Sequence, residues 1–210
     1  GFLGIEPATR RRNRMNGRVR SNEAGQLGLI VDHSYGNCPQ YIQKRTIEIT
    51  RGSEDTLNSV KSDKLTDAAR ATIQAADTFF IASRSRELTD DPTTGLDVSH
   101  RGGLPGFVQI VDDNIIRIPD YSGNRIYNTI GNIINDGRVG LFFIDYEKNA
   151  LLYISGQAKV IWDEDVTDLP KEVERIIEVN CQRIVQNFGA VSFSENLIER
   201  SPIFRRFSET

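Results

Sequence analysis

The feature that most constrains the fold is a short sequence that occurs twice within 210 residues. GFLGIE at 1–6 is similar to GLFFID at 140–145, since both begin with Gly and both end with Ile and an acidic residue. Gly17 and Gly156, each preceded by a small polar residue, lie as far apart as the two starting glycines do. Self-similarity of this kind indicates that the chain is built from related units.

A third match supports a duplication. NCPQYIQ at 37–43 is similar to NCQRIVQ at 180–186. These two segments lie about four residues further apart than the matching glycines do, which is the size of a loop insertion. Chance similarity between apolar strands is the alternative interpretation. We favour a duplication because the three matches follow one another in the same order.

The duplication predicts how the chain is divided. Residues 1–50 would be the carboxy-terminal half of a first repeat, whose other half is expected upstream of Gly1. Residues 51–63 are polar, lack periodicity and are predicted to form a linker. Residues 64–190 would be a complete second copy, and 191–210 a carboxy-terminal tail. We expect residues 1–50 to pack on the complete copy or on a second chain, because a half-barrel leaves open strand edges.

Composition limits the class of protein. A net charge of −3 offers no basic field for nucleic acid. No apolar run approaches the roughly 18 residues of a membrane span. The two cysteines, Cys38 and Cys181, suit a reducing cytoplasm, and His33 and His100 without a cysteine cluster argue against a zinc site. We therefore expect a cytoplasmic protein that binds neither nucleic acid, membrane nor metal.

The pattern of elements predicts a mainly β (α+β) fold. Short apolar runs follow one another with turn residues between them and with few helical segments, which is typical of a small antiparallel barrel with peripheral helices. The predicted helices begin at Leu65, at Asn124 and at Pro170, the last running to about Phe188. The predicted strands are 78–84, 96–101, 107–113, 114–120 and the two arms of a hairpin that turns at 147–149.

The helix predicted over 124–135 has two distinctive faces. Ile126, Ile130, Ile133 and Ile134 recur with helical spacing and predict one buried face. Asparagine, a poor helix former, recurs every fourth residue and indicates amide groups aimed at a polar ligand; a solvated face is the alternative. The free N–H groups at the predicted start, together with Arg125, favour a phosphate. The asparagines of this row are Asn124, Asn128 and Asn132.

The stretch DVSHRGGLPGF at 97–107 combines a Ser, a His and an Arg with glycines. Ser99 and His100 are neighbours on a predicted strand and point to opposite faces, so they cannot form a catalytic pair. Ser99 and Arg101 share a face, and each can hold a phosphoryl oxygen. Gly102 allows close approach of a ligand to the backbone. A tight loop without a ligand is the alternative, and no nucleotide-hydrolysis or dinucleotide-binding glycine motif is present.

Taken together, these motifs resemble the pyridoxamine 5′-phosphate oxidase-like family, the FMN-binding split barrels. The resemblance covers about residues 64–165 and lies in the order of the pieces: S-x-R-G, P-G-F, P-D-x-x-G-N, a helix and the G-L-F-F-I-D hairpin. The segments TRRRNRMNGRV and SYGNCPQYIQKR are similar to the amino-terminal half of a two-domain branch of the family. The basic cluster at 9–14 is predicted to be a hairpin tip or a contact with a missing half-domain or a dimer partner.

The resemblance implies a split β-barrel, a homodimer and FMN held between the subunits at the barrel edge. Ser99 and Arg101 would hold phosphate or ribityl oxygens, and Gly102 would let the cofactor approach the backbone. Ser83 and Arg84 would touch the flavin ring or the ribityl chain. The helix side would be lined by Asn124, Arg125, Asn128 and Asn132.

The sequence departs from the oxidase at one point and leaves several functions open. The oxidase carries an Arg-Lys pair where this chain has Asn128 and Thr129. The resemblance implies an FMN-dependent oxidoreductase acting on a small molecule; because the flavin carries the chemistry, no catalytic side chain is assigned. The departure favours a non-catalytic flavin-binding or cofactor-free module for sensing, storage or assembly. A related cofactor in the same fold, such as haem or a deazaflavin, is the third alternative.

Overall fold

The computed structural model describes residues 1–23, 25–36, 38–52, 57–91, 94–123, 125–162 and 170–207. A single 3₁₀ turn, Pro7–Thr9, separates the first two strands. The helices are α1 (Asp67–Ala75), α2 (Asn128–Asn135) and α3 (Ile203–Phe207). The strands are β1 (Phe2–Glu6), β2 (Arg11–Glu23), β3 (Gln26–Tyr35), β4 (Lys44–Arg51), β5 (Asn58–Ser62), β6 (Thr78–Arg84), β7 (Leu96–Gly102), β8 (Gln109–Ile110), β9 (Ile115–Tyr121), β10 (Arg138–Asp145), β11 (Ala150–Trp162), β12 (Val173–Phe188) and β13 (Val191–Glu199).

The strands form three antiparallel sheets. The largest has the order β7-β6-β10-β11-β12-β9-β8, and β5 pairs with the far end of β12. The strands β1, β2 and β3 form a separate meander, and β4 pairs with β13. This architecture confirms the predicted mainly β split barrel with few helices.

Alternating side chains build the barrel core. In β10, alternate positions from Val139 onward are buried, and β6 and β11 show the same period of two. Phe79 and Phe143 stack in the interior with ring centroids 4.8 Å apart. Helix α1 closes one side of the barrel; Thr66 caps it by accepting a hydrogen bond from the amide of Ala69 at 3.2 Å. This core holds the edge strands in place, and those strands carry the site described below.

The two meanders of the chain have matching irregularities. The pairing of β2 with β3 shifts register at Asn16/Gly17, and the pairing of β11 with β12 shifts at Ser155/Gly156, which are the repeat-related dipeptides. A Cβ on Gly17 would lie 2.0 Å from the backbone oxygen of Ile30, and one on Gly156 would lie 2.3 Å from that of Asn180. Both bulges therefore require glycine, which supports the duplication.

Other parts of the repeat and of the predicted division differ from the structure. Residues 180–186 lie within β12, whereas the described part of 37–43 forms no strand. Asn58–Ser62, inside the predicted linker 51–63, form β5. The division into 1–50, 51–63, 64–190 and 191–210 stays a prediction.

The helix predicted from Pro170 to Phe188 is wrong. Val173–Phe188 form β12, the longest strand, which pairs with β11 on one side and with β9 on the other. The Ile and Val residues of this stretch are β-branched and fit a pleated surface, and two neighbouring strands satisfy its backbone. Proline at 170 precedes the strand rather than opening a helix.

The helix predicted from Asn124 begins later, at Asn128. Ile130 and Ile133 are buried as expected, but Ile126 and Ile134 are 42% and 62% exposed. The predicted strand at 107–113 is reduced to Gln109–Ile110. No helix in the described part of the chain is long and apolar enough to cross a bilayer.

The amino-terminal strands pack on the remainder of the same chain, the first of the two alternatives expected for them. Arg14 on β2 pairs with Asp97 on β7, the Nη1–Oδ2 distance being 3.0 Å. Arg45 on β4 pairs with Asp77, just ahead of β6, at 2.5 Å. These buried ion pairs position β2 and β4 against the barrel edge.

Candidate functional site

A small polar cavity of about 100 Å³ lies between β2, β7 and the loop before α2. Four arginines from three separate segments line it: Arg12 and Arg14 from β2, Arg101 from β7, and Arg125 from the loop. Ser99 of β7 also lines it. Because side chains two apart on a strand share a face, β2 and β7 each present a pair of polar groups to the same space.

Two of these arginines are held by partners. Arg14 is 4% exposed and donates from Nη1 to Oδ2 of Asp97 and to Oγ of Ser99, at 3.0 Å each. Arg101 forms an ion pair with Asp120, which also pairs with Arg175 at 3.3 Å. The guanidiniums of Arg14 and Arg101 are therefore fixed in position at the wall of the cavity.

The other two arginines have no such partners. Among the residues that the structure describes, none forms a hydrogen bond or an ion pair with Arg12 or Arg125. The Nε of Arg12 is buried without a hydrogen-bond partner, and so is that of Arg101. Burial, followed by the nearby guanidinium of Arg14, lowers the pKa of Arg12. Among the described residues, the cavity thus contains guanidinium donors that form no ion pair.

Among the described residues around the cavity, positive charges outnumber negative charges. The guanidiniums of the cavity wall and of Arg175 behind it pair with or lie beside the described carboxylates of Asp97, Asp120 and Glu174. Five positive charges against three negative charges leave two positive charges over. A phosphate monoester carries about −1.5 to −2 at neutral pH, so its charge matches this excess.

Tyrosines close one side of the cavity. Tyr41 and Tyr121 stack with centroids 5.5 Å apart, and the Tyr41 hydroxyl donates to the carbonyl of Ser122 at 2.5 Å. Burial raises the pKa of both phenols, so both stay neutral at physiological pH. A Cβ on Gly102 would lie 2.1 Å from the Tyr41 carbonyl oxygen, so only glycine permits this approach of the loop to β7.

His100 is buried beside the cavity and does not act there as a charged group. Its ring packs edge-on against Phe80 at 5.9 Å, and its Nε2 has no partner among the described residues. Burial, followed by Arg12 and Arg101, lowers the pKa of His100 to about 3. The imidazole is therefore neutral across the physiological pH range.

A larger cavity of about 880 Å³ adjoins the small one. Its wall includes Asn128 and Asn132 of α2, and His33 and Tyr35 of β3. Tyr127 lines both cavities. The Arg14–Asp97 ion pair also joins them, because Arg14 lines the first and Asp97 the second. The two spaces together suit an elongated ligand with a phosphate at one end.

The structure divides the predicted site residues between these two cavities. Ser99, Arg101, Gly102 and Arg125 line the small cavity, whereas Asn128 and Asn132 line the large one. Ser83 is buried and accepts a hydrogen bond from Nδ2 of Asn132 at 3.1 Å.

Three other expectations have different outcomes. Arg84 donates to the carbonyls of Ser85 and Arg86 and lines neither cavity. Asn124 lies outside the described residues. The predicted helix start at Asn124 is wrong, because α2 begins at Asn128; the phosphate-binding role predicted for this segment stays a prediction.

Sequence reasoning missed the contribution of β2. The basic cluster at 9–14 was predicted to be a hairpin tip or an interface segment, but Arg11–Arg14 begin a strand whose alternate arginines reach the small cavity. The spacing of Arg12 and Arg14 was the available signal, since residues two apart share a strand face. Cys38 also lines this cavity, whereas Cys181 is a buried core residue whose pKa burial raises to about 12.

Comparison with known families identifies the fold. A sequence model of the family described as pyridoxamine 5′-phosphate oxidase matches residues 65–201, more than half of the chain. The chain belongs to the pyridoxamine 5′-phosphate oxidase family. The match spans β6 to β13, including the strand that carries Ser99 and Arg101, and it excludes β1 to β5. No curated protein matches the chain.

Among solved structures, several members of this fold are similar to the chain. A single-residue variant of HupZ from Group A Streptococcus is 12% identical, with a TM-score of 0.43 over 58% of this chain and 98% of its own. A putative pyridoxamine 5′-phosphate oxidase from Lactobacillus delbrueckii is 13% identical, with a TM-score of 0.44 over 59% and 94%. An FMN-binding protein from Syntrophomonas wolfei is 8% identical, with a TM-score of 0.38 over 56% and 86%. Likenesses this distant carry no inference about ligand or activity.

In the described part of the chain, no group of three His, Cys, Asp or Glu residues could hold a metal ion. The polar groups of the site are instead arginines, amides and hydroxyls. This donor set suits a phosphate and neutral polar atoms.

Proposed function

We propose that the chain binds FMN, with the phosphate in the small arginine-lined cavity and the flavin ring in the adjoining large cavity. The observation that carries the proposal is the excess of two positive charges among the described residues around a space of about 100 Å³, where Arg12 and Arg125 form no ion pair with a described carboxylate. The large cavity, about 880 Å³, lies within the range of about 300–1,000 Å³ that is usual for small-molecule sites.

The side chains of the site then have distinct tasks. Arg101 and Arg125 would donate charge-assisted hydrogen bonds to the phosphate, and Ser99, already oriented by Arg14, would accept or donate one more. Asn128 and Asn132 offer amide groups to the polar edge of the ring or to the ribityl chain. The Asn132–Ser83 hydrogen bond at 3.1 Å fixes one of these amides in advance of binding.

We further propose a flavin-dependent oxidoreductase whose substrate is a small molecule. When bound, FMN would supply transfer of a hydride or of an electron pair between a donor and an acceptor. The protein would orient the ring and tune it through hydrogen bonds, so no nucleophilic side chain is needed. His100, held neutral and enclosed, is not assigned a role in proton transfer.

A second candidate function is a flavin-binding module without catalysis. Asn128 and Thr129 stand where the family pattern has an Arg-Lys pair, and this difference favours the second candidate. The structure supplies positive charge from other segments, through Arg12 and Arg125. Tight binding without turnover would therefore support this candidate over the oxidoreductase. The homodimer and the cytoplasmic location implied by the resemblance remain part of this proposal.

Titration of the purified chain with FMN and, in parallel, with riboflavin tests the proposal. The two ligands differ only in the phosphate, so FMN should bind at least about tenfold more tightly if that group occupies the cationic cavity. Arg125→Gln should weaken FMN binding by about tenfold to a hundredfold and leave riboflavin binding unchanged, since a hydrogen bond to a charged group is worth about 1.5–3 kcal/mol.

A matched control uses an arginine outside the cavity. Arg117 on β9 forms an ion pair with Glu178 on β12 at 2.9 Å and lines neither cavity. Arg117→Gln should therefore bind FMN as tightly as the unchanged chain does. Absence of FMN binding at about 100 μM, or equal affinity for the two ligands, would refute the phosphate site. Anaerobic mixing of the flavin complex with reduced nicotinamides, followed by its visible absorption, then separates the two candidate functions.

A further inference from the structure

The two halves of the chain face each other as the subunits of a symmetric dimer would. A third, apolar cavity of about 620 Å³ lies between β1 and the outer face of the barrel. One wall belongs to the GFLGIE segment, and the other includes its repeat GLFFID together with residues of β6, β7 and β11. Equivalent segments on opposite sides of one cavity are arranged as they would be at a twofold interface. The matching residues in the two walls are Gly1 with Gly140, Phe2 with Leu141, Leu3 with Phe142, and Ile5 with Ile144.

Buried hydrogen bonds fix β2 of the amino-terminal meander against β7 of the barrel. Asp97 accepts from Nη1 of Arg14 and from Nδ2 of Asn16, at 3.0 Å each. Arg14 and Asp97 are 4% and 3% exposed, so the contact is enclosed. The guanidinium of Arg14 also lies 4.4 Å from the ring centroid of Tyr35 on β3. Strand β2 is therefore held in a fixed position beside Ser99 and Arg101.

Arg12 is the residue that this docking brings into the small cavity. It lies two positions before Arg14 and on the same strand face. Its Nε is buried without a hydrogen-bond partner, and no described carboxylate forms an ion pair with it, the nearby Asp97 being paired with Arg14. Arg12 is partly buried, and its enclosed Nε is a donor available to an anion bound in the cavity.

We infer that the amino-terminal meander completes the flavin-phosphate site within the same chain, with Arg12 binding the phosphate from the side opposite Ser99 and Arg101. The inference rests on the proposed FMN site and adds to it. Strand β2 takes the place that a second subunit would have, so one chain carries every group of the phosphate site. A dimer, if one forms, is not needed to assemble it.

Arg12→Gln tests the contact with the phosphate. This variant should weaken FMN binding by about tenfold to a hundredfold and leave riboflavin affinity unchanged, because only FMN carries the phosphate. Arg12→Lys should retain part of the FMN affinity, since it keeps the charge but loses the planar fork. Arg11→Gln is the matched control, because Arg11 is the adjacent, exposed arginine on the other face of β2.

Co-expression of two variants tests whether the site lies within one chain. Arg12→Gln chains and Arg125→Gln chains are produced in the same cells and purified together. If Arg12 acted on a neighbouring subunit, a mixed dimer would contain one site with both arginines intact, and part of the tight FMN binding would return. If Arg12 acts within its own chain, every site lacks one arginine and tight binding stays absent.

The outcomes separate this inference from the proposed function. No FMN binding by the unchanged chain would remove the proposed function itself. Normal FMN binding by Arg12→Gln, an equal loss for FMN and riboflavin, or recovery of tight binding in the co-expressed mixture would each overturn the inference while leaving the FMN site in place. If Arg12→Gln does not fold, as judged by its melting curve, Arg12→Lys provides the same comparison of FMN with riboflavin.

Discussion

The buried ion pair between Arg14 and Asp97 should contribute much of the free energy that holds the amino-terminal meander on the barrel. Both side chains are almost fully enclosed, and Asp97 also accepts a hydrogen bond from Asn16. Asp97→Asn keeps the shape and one acceptor oxygen but leaves the charge of Arg14 buried without its counter-ion. Breaking a buried pair in this way costs about 3–5 kcal/mol. At a urea m-value of about 2–3 kcal/mol/M, the unfolding midpoint should fall by about 1–2.5 M.

Urea unfolding of the flavin-free chain measures this cost, and two further variants make the test specific. Asp90→Asn removes an ion pair with Arg18 whose carboxylate is 95% exposed, so the midpoint should not move measurably. Arg14→Met combined with Asp97→Asn removes both charges and should recover most of the lost stability, because the cost comes from an unpaired charge. A midpoint for Asp97→Asn equal to that of Asp90→Asn, or a double variant no more stable than Asp97→Asn, would refute the reasoning.

Two other consequences can be measured on the same material. Because burial and the nearby Arg12 lower the pKa of His100 to about 3, only the unfolded chain takes up a proton there as the pH falls below 6.5. The contribution of His100 should therefore lower the free energy of unfolding by up to about 1.4 kcal/mol for each pH unit from pH 6.5 toward pH 3. His100→Gln should reduce this pH dependence when urea unfolding is measured at a series of pH values. An unchanged pH dependence would contradict a buried, neutral His100. Gly17→Ala places a Cβ 2.0 Å from the backbone oxygen of Ile30, whereas a Cβ on Gly4 meets nothing closer than 3.9 Å. Gly17→Ala should lower the free energy of unfolding by about 1–3 kcal/mol. Each kcal/mol lowers the melting temperature by about 2–4 °C in a chain of this size. Equal melting temperatures of Gly17→Ala and Gly4→Ala would show that the bulge does not require glycine.

The duplication changes how the partly basic sequence at 9–14 is understood. By the repeat, Arg12 and Arg14 correspond to Leu151 and Tyr153 of β11, so the same strand position carries apolar side chains in one copy and cations in the other. In β11, Leu151 and Tyr153 lie on the face opposite the fully buried Leu152, and Tyr153 is 40% exposed. The first copy uses this strand position to face the small cavity. Under the predicted duplication, equivalent strand positions therefore carry different surface chemistries.

Much of the fold was predictable from the sequence because its determinants are local. Period-two burial in β6 and β10, the cap of α1 at Thr66 and the turn between β10 and β11 depend on residues within a few positions of each other. The position of Ser99 and Arg101 on the same side of the small cavity follows from the same period of two.

Local patterns failed where two structures competed for the same residues. The stretch 173–188 contains Ile and Val at spacings that fit a helix or a strand, and a preceding proline favoured the helix. The strand forms because β9 and β11 lie on either side and satisfy its backbone N–H and C=O groups. That outcome depends on neighbours distant in the chain.

The sequence by itself determined the family, most of the barrel strands other than β12, and the shared strand face of Ser99 and Arg101, since motifs and side-chain periodicity are written within single strands. Only the tertiary structure decided that Arg12 and Arg14 face Ser99 and Arg101, more than 80 positions further along the chain. The position of β2 against β7 places them there, and it is set by the buried contacts of Asp97 with Arg14 and Asn16. This position depends on packing between two sheets, because no periodicity within either strand specifies which segment it packs against.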